Sequence, residues 1–215
     1  PSPPPPSPPP PSAPPPLAPC KRTVDFVLVI DQSGSMKKNQ TNSSVSAMDG
    51  VKALAKKIVD KFYLSSADLA ARFSVVSFSD TATIRVAWST DDGDIDAAID
   101  AISPDGDTSI SAGLNLAQEL IEDARDTATK VVLLLSDGKQ DDSLGGAEKA
   151  IAAAQNVSKV TDKVFAWGFG PMVDSETLEA IAGENSNVRY SDDVSELFKF
   201  LTSLVADVCN DPPPS

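Results

Sequence analysis

Val24-Asp25-Phe26-Val27-Leu28-Val29-Ile30 runs directly into Asp31-Gln32-Ser33-Gly34-Ser35. The first seven residues are apolar apart from Asp25, and a short run apolar on both faces is what a central strand of a parallel sheet needs, because helices cover both faces of such a sheet. Residues 131–135 and 164–169 are runs of the same kind. Between these runs Met48, Val51, Leu54, Ile58 and Phe62 recur at helical spacing. So do Leu116, Leu120, Ile121 and Ala124, and then Ala147, Ala150, Ile151 and Ala154. Each set predicts a helix with one stripe in the core. Phe73, Val75 and Phe78 lead into Ser79-Asp80-Thr81, after which Ile84, Val86 and Trp88 alternate with Thr83, Arg85 and Ala87. That pattern predicts a hairpin whose second strand is an antiparallel edge. A last helix carries Val194, Leu197, Phe198, Leu201 and Val205 on one stripe and ends at Cys209. Strands alternating with helices give an α/β fold: a doubly wound, mostly parallel sheet with one antiparallel edge strand and helices on both faces.

Proline separates this domain from its flanks. Of 18 prolines in 215 residues, 13 fall within the first 19 positions, and only Pro104 and Pro171 lie between Cys20 and Cys209. Residues 1–19 carry no charge and one large aliphatic side chain, Leu17, too little apolar surface to offset ordering entropy. They read as a polyproline II spacer rising about 3.1 Å per residue. Residues 20–209 are one globular domain, and residues 210–215 begin a second proline-rich linker.

The formal charge is −13, from 18 basic and 31 acidic residues. An acidic surface opposes nucleic acid and anionic membrane as partners. No histidine is present, which excludes Ser-His-Asp and Cys-His catalysis and every histidine-ligated metal site. No stretch has the length of a membrane-spanning helix, so direct membrane insertion is not expected. Cys20 and Cys209 sit at the two edges of the globular segment, where a bridge would join its ends in an oxidising compartment; two buried free thiols are the other reading. The sequons at Asn39, Asn42 and Asn156 are candidate N-glycosylation sites and agree with secretion. With no signal peptide before Pro1, the chain reads as a piece of a longer secreted protein.

In a doubly wound sheet, ligands bind outside the carboxyl ends of the strands, where strand order reverses. Two strand-like runs end in an aspartate there: Asp31 in Asp31-Gln32-Ser33-Gly34-Ser35, and Asp137 in Ser136-Asp137-Gly138. A third loop, Asp105-Gly106-Asp107-Thr108, precedes a helix. Two carboxylates and three hydroxyls suit a small hard cation that wants about six oxygens. Ser33 and Ser35 can turn to one centre, with Gly34 letting the backbone bend between them. Each piece also has an ordinary reading: a helix cap at Asp-x-Ser, a turn at Asp-Gly, an N-cap at Thr108. Their coincidence at one sheet edge favours the cation.

From residue 20 to 209 the chain resembles a von Willebrand factor type A domain, the family that includes integrin inserted domains. The resemblance rests on the metal-ion-dependent adhesion site, Asp-x-Ser-x-Ser with a distant threonine and a later aspartate, matched by Asp31, Ser33, Ser35, Thr108 and Asp137. It implies that Ser33, Ser35 and Thr108 bind Mg²⁺ directly, with Asp31 and Asp137 reaching it directly or through water. Mn²⁺ is able to substitute, and Ca²⁺, which favours more oxygens and longer bonds, fits less well. It further implies an acidic group on a partner as the completing ligand. Ser2-Pro3-Pro4-Pro5-Pro6 and Ser7-Pro8-Pro9-Pro10-Pro11 resemble the repeats of extensins and related hydroxyproline-rich cell-wall glycoproteins.

Together these readings predict a secreted adhesion module of a cell wall or extracellular matrix. Its partner would be an extracellular protein or an acidic polysaccharide offering a carboxylate, or another copy of this chain. A partner-binding domain that uses a non-metal face is the alternative. A phosphatase with Asp31 as nucleophile is disfavoured, because such enzymes place a second aspartate where Ser33 stands. Residues 37–47 form a longer link than the family usually has, and a glycan at Asn39 or Asn42 would hinder the site. Lys37, Lys38, Lys139, Asp105, Asp107, Asp141 and Asp142 flank the loops and are read as solvated charge.

Overall fold

The structure, a computed structural model, describes residues 19–40, 44–184 and 187–210. Six strands form one sheet: β1 (Val24–Asp31), β2 (Ala71–Phe78), β3 (Ala82–Ser89), β4 (Thr129–Ser136), β5 (Lys163–Phe169) and β6 (Val188–Ser191), in the order β3-β2-β1-β4-β5-β6. Among the described residues of this sheet, only the β2–β3 pair is antiparallel. β1 lies inside the sheet and is buried at all 8 positions, which is why its sequence is apolar on both faces. Phe26, Leu28 and Ile30 face one layer while Val27 and Val29 face the other.

The first layer comprises α1 (Ala47–Val59), α2 (Asp92–Asp100), α6 (Val194–Leu197) and α7 (Leu201–Cys209), packed through Val51, Leu54, Ile58, Ile99 and Leu204. The second comprises α3 (Ile110–Glu122), α4 (Gly146–Val157) and α5 (Ser175–Ala182), packed through Leu114, Ala117, Ala154, Val157 and Ile181. Ser46, Asp91 and Asp174 cap the starts of α1, α2 and α5 by accepting from backbone amides of Asp49, Asp94 and Thr177, satisfying orphan donors of each first turn. Among the described residues no helix is long and apolar enough to cross a membrane.

Four details differ from the sequence reading. The buried stripe of α3 runs through Ile110, Leu114, Ala117, Leu120 and Ile121, with Leu116 only half-buried and Ala124 beyond the end of the helix. The buried stripe of α4 is Ala150, Ala153, Ala154 and Val157, with Ala147 and Ile151 only half-buried, because small alanines mark a helix face weakly. Phe62 lies beyond the end of α1 and stacks edge-on against Phe26, ring centroids 5.5 Å apart. The last helix is interrupted by a 3-10 turn, Phe198–Phe200, which sets the Phe200 ring 6.3 Å from Trp167 while Leu197, Leu201, Leu204 and Val208 stay buried. Residues 1–18, 41–43, 185–186 and 211–215, and with them the polyproline spacer up to Ala18, Asn42 and all but Asn210 of the second proline-rich linker, lie outside the described residues.

The connecting helices return the chain to the pole from which the parallel strands start. Cys20, ahead of β1, and Cys209, at the end of α7, meet there and form a disulfide, Cα atoms 6.1 Å apart across a separation of 189 residues. Closing so long a loop contributes up to about 5 kcal/mol in the chain-entropy account. Asp25, the one polar residue of the run from Val24 to Ile30, is 0 % exposed at the same pole. Arg72 on β2 donates to both its oxygens, Nε to Oδ1 and Nη2 to Oδ2, each at 2.8 Å. Arg125 adds its backbone N–H at 2.6 Å and its Nε at 2.9 Å. Burial alone would raise the Asp25 carboxyl, but the hydrogen bonds and charge of the two arginines outweigh it and hold the group below its ordinary value.

Candidate metal centre

Strand order reverses at β1, with β2 on one side and β4 on the other, and the candidate residues gather at the carboxyl ends of these strands. The register pairs Ile30 with Leu135, so Asp31 comes opposite Ser136. Ser136 Oγ donates to Asp31 Oδ2 at 2.6 Å, and the Ser33 N–H donates to Asp31 Oδ1 at 2.8 Å. The chain then turns through a 3-10 segment, Gly34–Lys37, held down by the buried Met36. That turn points both serines the same way: Ser33 Oγ lies 3.0 Å from Ser35 Oγ, and Ser35 Oγ donates to Asp137 Oδ1 at 2.8 Å. Asp31, Ser33, Ser35, Ser136 and Asp137 therefore form one hydrogen-bonded chain.

Thr108 comes from the loop before α3. That loop is tied to the serine loop twice, by Asp105 N–H to Gln32 O at 2.7 Å and Gly34 N–H to Gly106 O at 2.9 Å. Its own carbonyl accepts from Asp141 N–H at 2.8 Å. Thr108 Oγ1 lies 3.8 Å from where a Cβ on Gly138 would stand, so the hydroxyl faces the loop after β4. Gly106 has φ +74°, where any other side chain is strained, and a Cβ there would meet Asp80 Oδ2 at 2.5 Å and displace that carboxylate. Gly34 does not serve backbone bending, since its φ is not in the left-handed region; a Cβ there would press to 3.3 Å from Gly106 O, and the threonine loop would have to give by a few tenths of an ångström. Thr108 is not the N-cap of α3. Ser109 holds that position without a side-chain bond to a backbone amide, and Gln140 Oε1 accepts from the Ser111 N–H at 2.9 Å instead.

The electrostatics suit a cation. Asp31 is 0 % exposed. Burial pushes its carboxyl up to about 6; the Ser136 hydrogen bond opposes the rise and the Asp137 charge adds to it. Burial also raises Asp137, against the Ser35 hydrogen bond and the charge of Lys38. Two adjacent carboxylates whose hydrogen bonds come only from neutral donors, with hydroxyls beside them, form an all-oxygen set fit for a hard divalent ion.

A pH dependence follows. The folded pKa of Asp31 lies above its unfolded value, so its contribution to stability is present below about pH 4 and is lost as pH rises through about 6. Ionised Asp31 thus costs the metal-free domain on the order of 3 kcal/mol at pH 7. In chelator, thermal stability should fall between pH 4.5 and 7, and Mn²⁺ should stabilise more at pH 7.5 than at pH 5, where protons compete for Asp31. Equal Mn²⁺ stabilisation at both pH values would contradict this.

Most flanking charges are surface features. Lys37 and Asp105 lie 3.9 Å apart with side chains 62 % and 91 % exposed. Lys139 pairs loosely with Asp142 at 3.8 Å, Asp107 N–H donates to Asp80, and Asp141 caps a turn through Ser143 N–H. Lys38 alone acts on the site, through its charge on Asp137. Ser136, Gln32 and Gln140 were not singled out by sequence; Ser136 directly precedes Asp137 at a strand end, the one signal that could have marked it. The link after the serine loop folds back through Gln40, whose Oε1 accepts from the Val194 N–H at 2.8 Å. Asn39 is exposed on that link, and Asn156 is exposed in the last turn of α4, at the opposite pole.

A family model described as von Willebrand factor type A domain matches residues 25–204. Among solved structures, proximal thread matrix protein 1 from the mussel byssus, with a zinc-occupied MIDAS motif, superposes with TM-score 0.76 at 28% identity, covering 90% of this chain and 47% of that one. A von Willebrand factor type A protein from Catenulispora acidiphila gives TM-score 0.70 at 22% identity over 87% of this chain and 43% of that one. The manganese-loaded TRAP protein of Plasmodium vivax gives 0.67 at 20% identity, covering 86% and 74%. The chain thus spans about half the length of the mussel protein it matches.

Proposed function

The chain belongs to the von Willebrand factor type A family, and from that premise we propose that it is an extracellular adhesion module that captures an acidic group of a partner through a Mg²⁺ held by Ser33, Ser35 and Thr108, with Asp31 and Asp137 balancing its charge. The observation that carries the reading is the hydrogen-bonded chain from Ser136 through Asp31, Ser33 and Ser35 to Asp137 at the strand switch point. When bound, the cation supplies positive charge that neutral hydroxyl ligands leave open to a partner's carboxylate. Asp31, fixed by Ser136 and the Ser33 amide, keeps a buried negative charge beneath the hydroxyls, and Asp137 orients the Ser35 hydroxyl. The zinc and manganese in the mussel and Plasmodium proteins support a divalent ion here, with Mn²⁺ replacing Mg²⁺.

The partner is an extracellular protein, an acidic wall polysaccharide or a second copy of this chain. The Cys20–Cys209 bridge supports secretion to an oxidising space and a domain bounded at residues 20 and 209. The proline-rich flanks serve as stiff spacers, and the domain binds without catalysing. The test is capture of extracellular and wall material on the immobilised full chain in magnesium and in chelator, eluting with each. Partners should be retained in magnesium and released by chelator. Partners retained equally in chelator would place recognition on another face.

A further inference from the structure

We infer that Arg85 sets the cation selectivity of this site, by fixing the spacing between the loop that carries Ser33 and Ser35 and the loop that carries Thr108. The inference rests on reading those residues as metal ligands. Arg85 lies on the edge strand β3. Its Nε donates to Ser77 Oγ at 2.6 Å and its Nη2 to Gln32 Oε1 at 2.7 Å. Ser77 is 1 % exposed and pairs in register with Ile30 on β1, so one end of the fork is anchored in the sheet one residue short of Asp31.

The other end grips the residue between Asp31 and Ser33. The Gln32 N–H donates to Phe78 O at 2.8 Å, and its carbonyl accepts from Asp105 N–H at 2.7 Å. Gln32 is therefore the junction where β2, the serine loop and the threonine loop meet, and Arg85 holds that junction by its side chain. Among the described residues no carboxylate lies within ion-pair distance of Arg85. Charge pairing does not account for its place, and a two-point planar clamp does.

Rigidity at this junction has a chemical consequence. Mg²⁺ demands a near-octahedral set at about 2.0–2.1 Å, whereas Ca²⁺ accepts 6–8 oxygens at about 2.3–2.6 Å in flexible arrays. Two loops locked at one spacing favour the smaller ion, and loops free to part admit the larger. Lysine keeps the charge but not the fork, so Arg85→Lys should loosen the site as removal of the side chain would.

The experiment measures Mn²⁺ and Ca²⁺ affinity by calorimetry on the full chain, for wild type, Arg85→Lys, Gln32→Ala and, in parallel, Asp137→Ala. Arg85→Lys and Gln32→Ala should each weaken Mn²⁺ about tenfold, as loss of a supporting partner does at metal sites, while Ca²⁺ changes less than about twofold, so the Mn²⁺/Ca²⁺ ratio falls about tenfold. A general weakening of the fold would lower both affinities together and leave the ratio unmoved. An unchanged ratio in Gln32→Ala and Arg85→Lys, with Asp137→Ala still losing Mn²⁺, overturns the role of Arg85 alone. A wild type that binds neither ion, or an Asp137→Ala variant that binds like wild type, overturns the metal site and this inference with it. Should Arg85→Lys fail to fold, Gln32→Ala carries the same test.

Discussion

Replacing Asp25 by alanine should lower the free energy of unfolding by about 3–5 kcal/mol in urea titration at pH 7, the usual cost of removing one partner from a buried ion pair. Arg72 and Arg125 converge on this carboxylate, and Arg125 also donates to the carbonyls of Val24 and Ala70, each at 3.0 Å. Without Asp25 both guanidinium groups keep their desolvation and lose their counter-charge, and the Arg125 amide loses its acceptor. The pH dependence has a definite sign. The folded pKa of Asp25 lies below the unfolded one, so its contribution is present above about pH 4 and disappears as pH falls through the folded value. The wild-type advantage over Asp25→Ala should therefore shrink in acid. Because Asp25 stands at the start of β1 and the candidate site at its end, Mn²⁺ affinity should be unchanged in the folded variant. A loss below 1 kcal/mol would mean that the arginines are held by their other partners.

Asp25 also shows where reading a sequence stops. The run from Val24 to Ile30 identified a central strand, because burial on both faces leaves a compositional mark that needs no knowledge of neighbours. What Asp25 does there depends on registers: β1 pairs Asp25 with Arg72, and Arg125 arrives from the loop after α3. Likewise Ser136 meets Asp31 only because β1 and β4 pair Ile30 with Leu135, and Arg85 on β3 reaches Gln32 across the intervening β2. That Asp31, Ser33, Ser35, Thr108 and Asp137 gather at one sheet edge was legible because each ends or follows a strand or precedes a helix there, a position that topology alone assigns. α2 and α5 escaped notice because Ile95 and Ile99, and Leu178 and Ile181, are too few large apolar residues for a clear stripe. β6 has 4 residues of mixed burial, too short for alternation to register.

The central claim is that Asp31, Ser33, Ser35, Thr108 and Asp137 hold one divalent cation, and Asp137→Ala is its sharpest probe. Asp137 accepts from the Ser35 hydroxyl at 2.8 Å, so the substitution removes both a balancing charge and the group that orients a ligand. Loss of an indirect partner already costs metal sites 10–100-fold in affinity, roughly, and loss of a charged member of the site should reach about a hundredfold or more. The fold should not suffer. Burial raises the Asp137 carboxyl above its ordinary value, which means that its ionised form is a cost to the metal-free domain, so the variant in chelator should melt at or slightly above the wild-type temperature. The decisive measurement is a calorimetric titration of Mn²⁺ into the full chain at pH 7.5. The account predicts one ion per chain for wild type and about a hundredfold weaker binding for Asp137→Ala with its melting temperature preserved; Mn²⁺ binding of equal affinity in the two proteins would contradict it.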